Sequence, residues 1–311
     1  MGQHHARVLA NLHGATLVAV ADADVARARA ATAQYDVDVL ASADELLGRV
    51  DAVVIAAPTS CHFELARRCI ERGVHVLVEN PLAASRAEAQ ALCEMADSSA
   101  VVLQVGHIER FNPTYPQLEN VLRHEQPVAF AAVRLSPHTA RAADVSVVLD
   151  LMIHDLDLVL SLNESPVTAI SATGCRAKSP TLDHAVAMLT FANGTTATLT
   201  ASKIAQHKVR GIAVVCRESF VEGDFLHRTV RIHRASVSSY DATGGQLTYR
   251  QEGVVENVLV PVVEPLHAEL QHFVACVRER KTPLVTAGVG KRVLDLALEI
   301  EGLAERSVRP G

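Results

Sequence analysis

The first hundred residues alternate two kinds of apolar spacing. A three-to-four period predicts helices over 3–12, 23–34, 62–72 and 85–97, and short continuous apolar runs between them predict strands over 16–21, 51–56, 74–78 and 101–105. The runs Leu17-Val18-Ala19-Val20-Ala21, Ala52-Val53-Val54-Ile55-Ala56 and Val74-His75-Val76-Leu77-Val78 have almost no polar positions. Strands read this way when helices cover both faces of their sheet. The rhythm predicts a doubly wound parallel sheet filling a domain over residues 1–108.

After residue 127 the pattern changes to longer strands in which apolar and polar positions alternate, over 128–135, 167–175, 184–191, 195–202, 212–216, 219–223 and 228–233. Such alternation predicts a large open antiparallel sheet with one solvated face. Asn193-Gly194, lying between two of these runs, predicts a tight hairpin that uses positive φ angles. Helical spacing returns over 148–162, 266–280 and 290–306. A second α/β domain is therefore expected over 109–311, with the terminal helices packing back on the first.

Composition narrows the class. A chain of 311 residues exceeds what one hydrophobic core usually serves, so two domains fit. The net charge of −6 argues against nucleic acid or an anionic membrane as partner. No run of eighteen apolar residues occurs, and Met1 to Arg7 hold two histidines and an arginine where a leader peptide has an apolar core, so a cytoplasmic location is expected. Six cysteines without a C-x-x-C pair predict reduced thiols and no structural zinc. With four tyrosines, seven phenylalanines and no tryptophan, the core must rest on small aliphatic side chains.

A dinucleotide fingerprint requires a first strand, G-x-G-x-x-G, a helix whose N-terminal amides hold the pyrophosphate, and an acidic residue about twenty positions later for the ribose. Gly2 stands where the third glycine would, the helix from Gln3 follows, and Asp22 ends the next strand. The first strand and two glycines are missing, and with them the centre of a 3-2-1-4-5-6 sheet. The expectation is that two neighbouring strands have unpaired edges, and that Met1 is an internal residue of a product longer by roughly 10 residues.

Several segments fall in one order: Gly2-Gln3-His4-His5, Val20-Ala21-Asp22, Ala57-Pro58-Thr59-Ser60-Cys61-His62, Val76-Leu77-Val78-Glu79-Asn80-Pro81, Gly106-His107-Ile108-Glu109-Arg110-Phe111-Asn112-Pro113, and Asp150-Leu151-Met152-Ile153-His154-Asp155-Leu156-Asp157. The set resembles the Gfo/Idh/MocA oxidoreductases along essentially the whole chain. The resemblance implies a Rossmann-type domain, a C-terminal α/β domain with an open sheet, and hydride transfer between a sugar-like alcohol and NAD(P). It implies Gly2 at the pyrophosphate and Asp22 on the adenosine ribose, where a carboxylate disfavours a 2′-phosphate and so favours NAD over NADP. Pro58, Thr59 and His62 then belong to the loop closing over the cofactor, with Glu79 beside it.

Asn80 departs from the family, whose Glu-Lys-Pro triplet reads Glu79-Asn80-Pro81 here. The resemblance gives the lysine contact with the reacting hydroxyl. An asparagine amide donates a hydrogen bond but neither exchanges a proton near neutrality nor carries charge. The five lysines, Lys178, Lys203, Lys208, Lys281 and Lys291, all lie outside residues 1–108. Asp150 and His154 are four apart on one helix face, which allows a carboxylate to orient an imidazole, or simply a solvated ion pair. The resemblance makes His154 the proton-transfer residue, with Asp150 as partner and Asp157 continuing the polar face. A metal held by His154, Asp155 and Asp157 fits less well, because adjacent helical residues diverge by about 100°.

The segment from Gly106 to Pro113 looks like that of relatives acting on nucleotide-linked amino sugars, which would place Glu109, Arg110 and Asn112 on the sugar or diphosphate. Arg134, Arg141 and Arg176 are further candidates for a diphosphate. Two other classes remain open at this point: a degenerate member that binds a sugar nucleotide without turnover, and an oligomeric partner protein. A homodimer or homotetramer is expected in each case, because one sheet face must be covered.

Overall fold

The computed structural model describes residues 1–138, 144–243 and 246–308. The chain forms two compact units, Met1–Phe111 with Val263–Asp295, and Asn112–Val262 with Leu296–Gly311. In the first unit the order is α1 (Gly2–Leu9), β1 (Ala19–Ala21), α2 (Val25–Thr32), β2 (Asp38–Leu40), β3 (Ala52–Ile55), α3 (Thr59–Glu71), β4 (His75–Glu79), α4 (Arg86–Asp97) and β5 (Leu103–Gly106). Local chemistry sets several of these starts. Asp24 caps α2 by accepting from the Arg27 amide, and Ser85 and Glu88 close a reciprocal capping box on α4.

The parallel sheet comes in two pieces, β1-β2 and β3-β4-β5. Among the described residues no pairing joins β1 to β3, the place a 3-2-1-4-5-6 order gives its first strand. Burial follows the break. Val76, Leu77 and Val78 at the centre of β4 are wholly buried, whereas the side chains of β1 and all but Ile55 of β3 are only partly covered. Helix α7 (Pro265–Glu279) lays Leu266, Leu270, Phe273 and Cys276 against Val8 and Leu12 after α1, Leu77 of β4 and Val102. The approach of α8 (Ala287–Ser307) to β5 depends on Gly290, where an added Cβ would stand 2.7 Å from a Val105 methyl.

The second unit contains α5 (Thr114–Leu122), β6 (Pro127–Leu135), a π-turn over Val148–Met152 running into α6 (Ile153–Leu162), then β7 (Val167–Cys175), β8 (His184–Phe191), β9 (Thr196–Ser202), β10 (Val209–Cys216), β11 (Ser219–Asp224), β12 (Thr229–Thr243) and β13 (Gln246–Val258). Their order in the eight-stranded sheet is β13-β12-β11-β10-β6-β9-β8-β7. The sheet is mixed rather than purely antiparallel, because β6 and β9 run parallel at its centre. The β8–β9 hairpin forms where expected, but Gly194 alone is left-handed, at φ +83°, and the Asn193 carbonyl side chain accepts from the Thr195 amide. Inward residues such as Ala187, Leu189, Ala197, Leu199 and Val214 are wholly buried, under a layer that includes α5 and α6.

One ion pair lies inside that layer. Arg134 of β6 donates Nε and Nη2 to Asp155 Oδ1 of α6 at 3.0 and 2.7 Å, and both side chains are 3% exposed. Arg134 is thus committed to the core and not to a diphosphate. Arg176 pairs with Glu305, and Arg141 lies outside the described residues.

In urea titrations, Arg134→Met is expected to cost about 3–5 kcal/mol by stranding the Asp155 charge, and the double change Arg134→Met/Asp155→Leu far less. A second prediction concerns Glu269 of α7, wholly buried, with its carboxyl pushed well above the ordinary range by burial and then by the neighbouring Glu79 charge. The folded protein keeps this proton to higher pH than the unfolded chain does, so stability falls as pH rises from about 4.3 toward the folded value. Glu269→Met should therefore raise Tm by a few degrees at pH 8 and by less at pH 4.

Candidate functional site

In the first unit the candidate residues gather at the C-terminal ends of the parallel strands and the helix starts that follow them, where open α/β sheets bind ligands. Helix α1 begins at exposed Gly2 with no side-chain cap, and a Cβ at Gly2 would meet nothing within 4 Å. The His4 and His5 amides donate to the Met1 carbonyl at 2.7 and 3.2 Å, which leaves those of Gly2 and Gln3 as the helix-start amides without a backbone acceptor, the kind of group an anion site uses. Asp22 follows β1, and its carboxylate accepts from the Asp24 amide at 2.9 Å and from the Arg27 guanidinium at 2.7 Å. These bonds, the Asp24 amide first, hold it below the usual carboxylate range, so it stays ionised near neutrality. This charge and an uncapped helix start fit a dinucleotide's ribose and pyrophosphate. Arg27 was not singled out in the sequence, although its place three residues into the cap of α2 follows from Asp24.

Pro58 and Thr59 open α3, again without a side-chain cap. His62, expected beside the cofactor, is instead 1% exposed, with Nδ1 2.8 Å from the Pro81 carbonyl and Nε2 3.0 Å from that of Ala57. It ties the loops after β3 and β4 together, and both ring nitrogens are spent on backbone. Glu79, at the end of β4, lies 2.6 Å from His5 Nε2, which joins that strand end to α1. Asn80 donates its amide to the Gly106 carbonyl at 3.2 Å, so it bridges the ends of β4 and β5.

Between β5 and α5 the expectations divide. Arg110 is half-buried on the 3-10 turn Ile108–Phe111, but Glu109 on the same turn is 4% exposed. Asn112 is also buried, with Nδ2 donating to the Phe225 carbonyl at 3.0 Å and Oδ1 accepting from the Thr114 amide at 3.1 Å. That side chain starts α5 and anchors it beside β11. Its Nδ2 and Oδ1 each have a backbone partner.

The second cluster sits on the π-turn and α6. Asp150 and His154 are both partly exposed, whereas Asp155 and Asp157 are buried at 2% and 1%. Asp157 therefore does not extend the exposed face: its side chain is buried. Four residues of ideal α-helix rotate by about 400°, and a π-turn rotates less per residue, bringing Asp150 closer to directly over His154. Regular helical spacing over 148–162 conceals this wide turn. Beneath Asp150 lies Lys203, which follows β9 and is 5% exposed. Its Nζ is 3.1 Å from Asp150 Oδ2 and donates to the Val145 carbonyl at 2.5 Å. Among the described residues no group of three His, Cys, Asp or Glu side chains is arranged to hold a metal ion.

Similarity to known proteins agrees with this geometry. Residues 1–107 match the oxidoreductase family with NAD-binding Rossmann fold named Gfo/Idh/MocA, and residues 122–222 match the C-terminal domain of the same family. UDP-N-acetylglucosamine 3-dehydrogenase of Acidithiobacillus ferrooxidans is 32% identical, with 98% of this chain and 94% of that protein covered. Its crystal structure superposes with a TM-score of 0.89 over 98% of this chain and 94% of that one. The scyllo-inositol 2-dehydrogenase (NAD(+)) of Bacillus subtilis is 27% identical over 92% of this chain and 86% of that protein. A scyllo-inositol dehydrogenase of Lactobacillus casei, solved with NAD(H) and scyllo-inositol, shares the fold at 17% identity, with a TM-score of 0.80 over 99% of this chain and 94% of that one. An uncapped helix start, an ionised aspartate after the next strand and full-length similarity at 32% identity converge, and the chain belongs to the NAD-binding Gfo/Idh/MocA oxidoreductases.

Proposed function

We propose that this protein is an NAD-dependent dehydrogenase of a secondary hydroxyl on a nucleotide-linked sugar. The observation that carries the reading is the Asp150–His154 pair, a carboxylate and an imidazole held on one partly exposed helix face above a buried ammonium. Oxidation of an alcohol needs a base for the hydroxyl proton, and His is the side chain whose ordinary pKa suits that task near neutrality. NAD, when bound, supplies the hydride acceptor. Gly2 and the α1 amides hold its pyrophosphate in this reading, and Asp22 accepts from the ribose hydroxyls. Pro58, Thr59 and Glu79 border the cofactor, and Arg110 is the remaining cation of its segment for a diphosphate. His154 takes the substrate proton, and Asp150 orients the ring.

The A. ferrooxidans relative suggests UDP-N-acetylglucosamine as the first substrate to test, and the B. subtilis relative suggests inositols as the second. The domain limits proposed for function are the two observed units: the first for cofactor and the second for substrate. All six cysteines are free, which suits a cytoplasmic setting, and no described helix is long and apolar enough to cross a membrane. A homo-oligomer is proposed through the outer sheet face, where Ala131, Met188, Thr198, Ala213 and Val215 present small or apolar groups opposite the α5–α6 layer.

Incubation with NAD and UDP-N-acetylglucosamine or inositols is expected to produce absorbance at the reduced nicotinamide band, and His154→Ala to lower kcat by about 10²–10⁴-fold. Absence of reduction with every substrate of these classes, or a fully active His154→Ala, overturns the reading. For the oligomer, Met188→Glu/Val215→Glu should move the particle mass in light scattering to that of a single chain. An unchanged mass places the contact elsewhere.

A further inference from the structure

Lys203 is a lysine almost wholly withdrawn from solvent, yet its partner Asp150 is 38% exposed. The cation therefore lies beneath the carboxylate, on the protein side, and the carboxylate lies between it and the open face. Buried ammonium groups are costly unless their donors are met. Here Nζ has the Asp150 carboxylate at 3.1 Å and the Val145 carbonyl at 2.5 Å.

The lysine is also rigidly mounted. Its backbone amide donates to the Asp183 carbonyl at 2.8 Å, directly after β9 ends. Asp183 is wholly buried and its Oδ2 accepts from the amides of Ala177, Lys178 and Ser179 at 2.8, 2.6 and 2.9 Å. Burial raises that carboxyl, and the amide bonds outweigh it and hold it at about 2, so the anchor stays charged across the working pH range. A surface lysine with four free rotors has no such support.

We propose that Lys203 is the positioning residue of the Asp150–His154 pair: it pins the Asp150 carboxylate from below and sets the fixed positive charge under which His154 gains and loses its proton. This rests on the dehydrogenase reading above, and it supplies in the second unit a charge that Asn80 does not carry. A pinned carboxylate holds the imidazole in one orientation, and a nearby cation makes the imidazolium harder to form. The other charged groups on elements packed against this helix have their own partners: Arg134 of β6 with Asp155, Glu119 of α5 with Arg123 and Tyr115, and Glu301 of α8 with Ser146. Asp155 and Asp157 are on the helix itself, and both are buried.

The test compares wild type, Lys203→Met, Lys203→Arg and the double variant Lys203→Met/Asp150→Asn, which removes both charges and so guards against failure to fold. Ring-carbon NMR of labelled full-length protein follows the His154 titration. Its midpoint is expected to rise in Lys203→Met and to stay near the wild-type value in Lys203→Arg. In turnover, Lys203→Met should lower kcat about tenfold to a hundredfold with KM changed less than about threefold, and move the rising limb of the pH profile upward, with Lys203→Arg recovering most of the rate. An unchanged His154 midpoint in a folded Lys203→Met protein, whatever its Tm, overturns the proposal. Wild type without turnover but with a shifted midpoint refutes the dehydrogenase reading and keeps Lys203 in its positioning role.

Discussion

The salt bridge between Arg134 and Asp155 is the constraint on which the second unit turns. Both groups are out of water, and neither can be charged alone there without a penalty of several kcal/mol. The pair therefore permits one rotation of α6 about its axis and one position along β6. Once Asp155 is fixed toward the sheet, His154 is turned about 100° away from it and stays partly exposed, while Asp157 is buried. Hydrophobic packing by Leu156, Val159 and Leu160 would tolerate small slips of register that the ion pair does not.

In the first unit the organising fact is a discontinuity. β4 has neighbours on both sides and a dry centre, while among the described residues β1 and β3 each pair on one side only and, Ile55 apart, have partly covered side chains. What holds α1 near the end of β4 is therefore not sheet pairing alone. The His5–Glu79 bond and the apolar contact with α7 do that work, together with the Arg7–Glu264 ion pair. Helix α7, from the far end of the sequence, completes a core that the N-terminal segment begins.

Apolar spacing made most of this visible in advance, because long periodic segments leave little choice between period two and period 3.6. The strands β7, β8 and β9 and the helices α4 and α7 lie within one residue or so of their expected limits. The misses have definite causes. β2 has only three residues, too few to show a period. Helix α5 was hidden by Pro113 and Pro116, which are harmless in a first turn whose amides have no helical acceptor. β13 was masked by charges and Gly253. At the site, the motif order pointed to Asp150 and His154, whereas the burial of His62, Asn112 and Asp157, and the backbone bonds of the first two, carry no local signature in the sequence. Lys203 stayed out of reach, because its contact with Asp150 spans more than fifty positions and no local pattern encodes it.

The wide turn at Val148–Met152 has a consequence for reading relatives. A π-turn closes i→i+5 hydrogen bonds and so takes up more residues than an α-turn without breaking the helix. The segment before it is thereby dialled against the segment after it. The same side chains on an unbroken α-helix would keep the buried positions of α6 and yet bring a different residue over the histidine. Helix-by-helix comparison of such proteins should therefore be counted from the histidine backward, since a count from the helix start assigns the acidic partner to the wrong place.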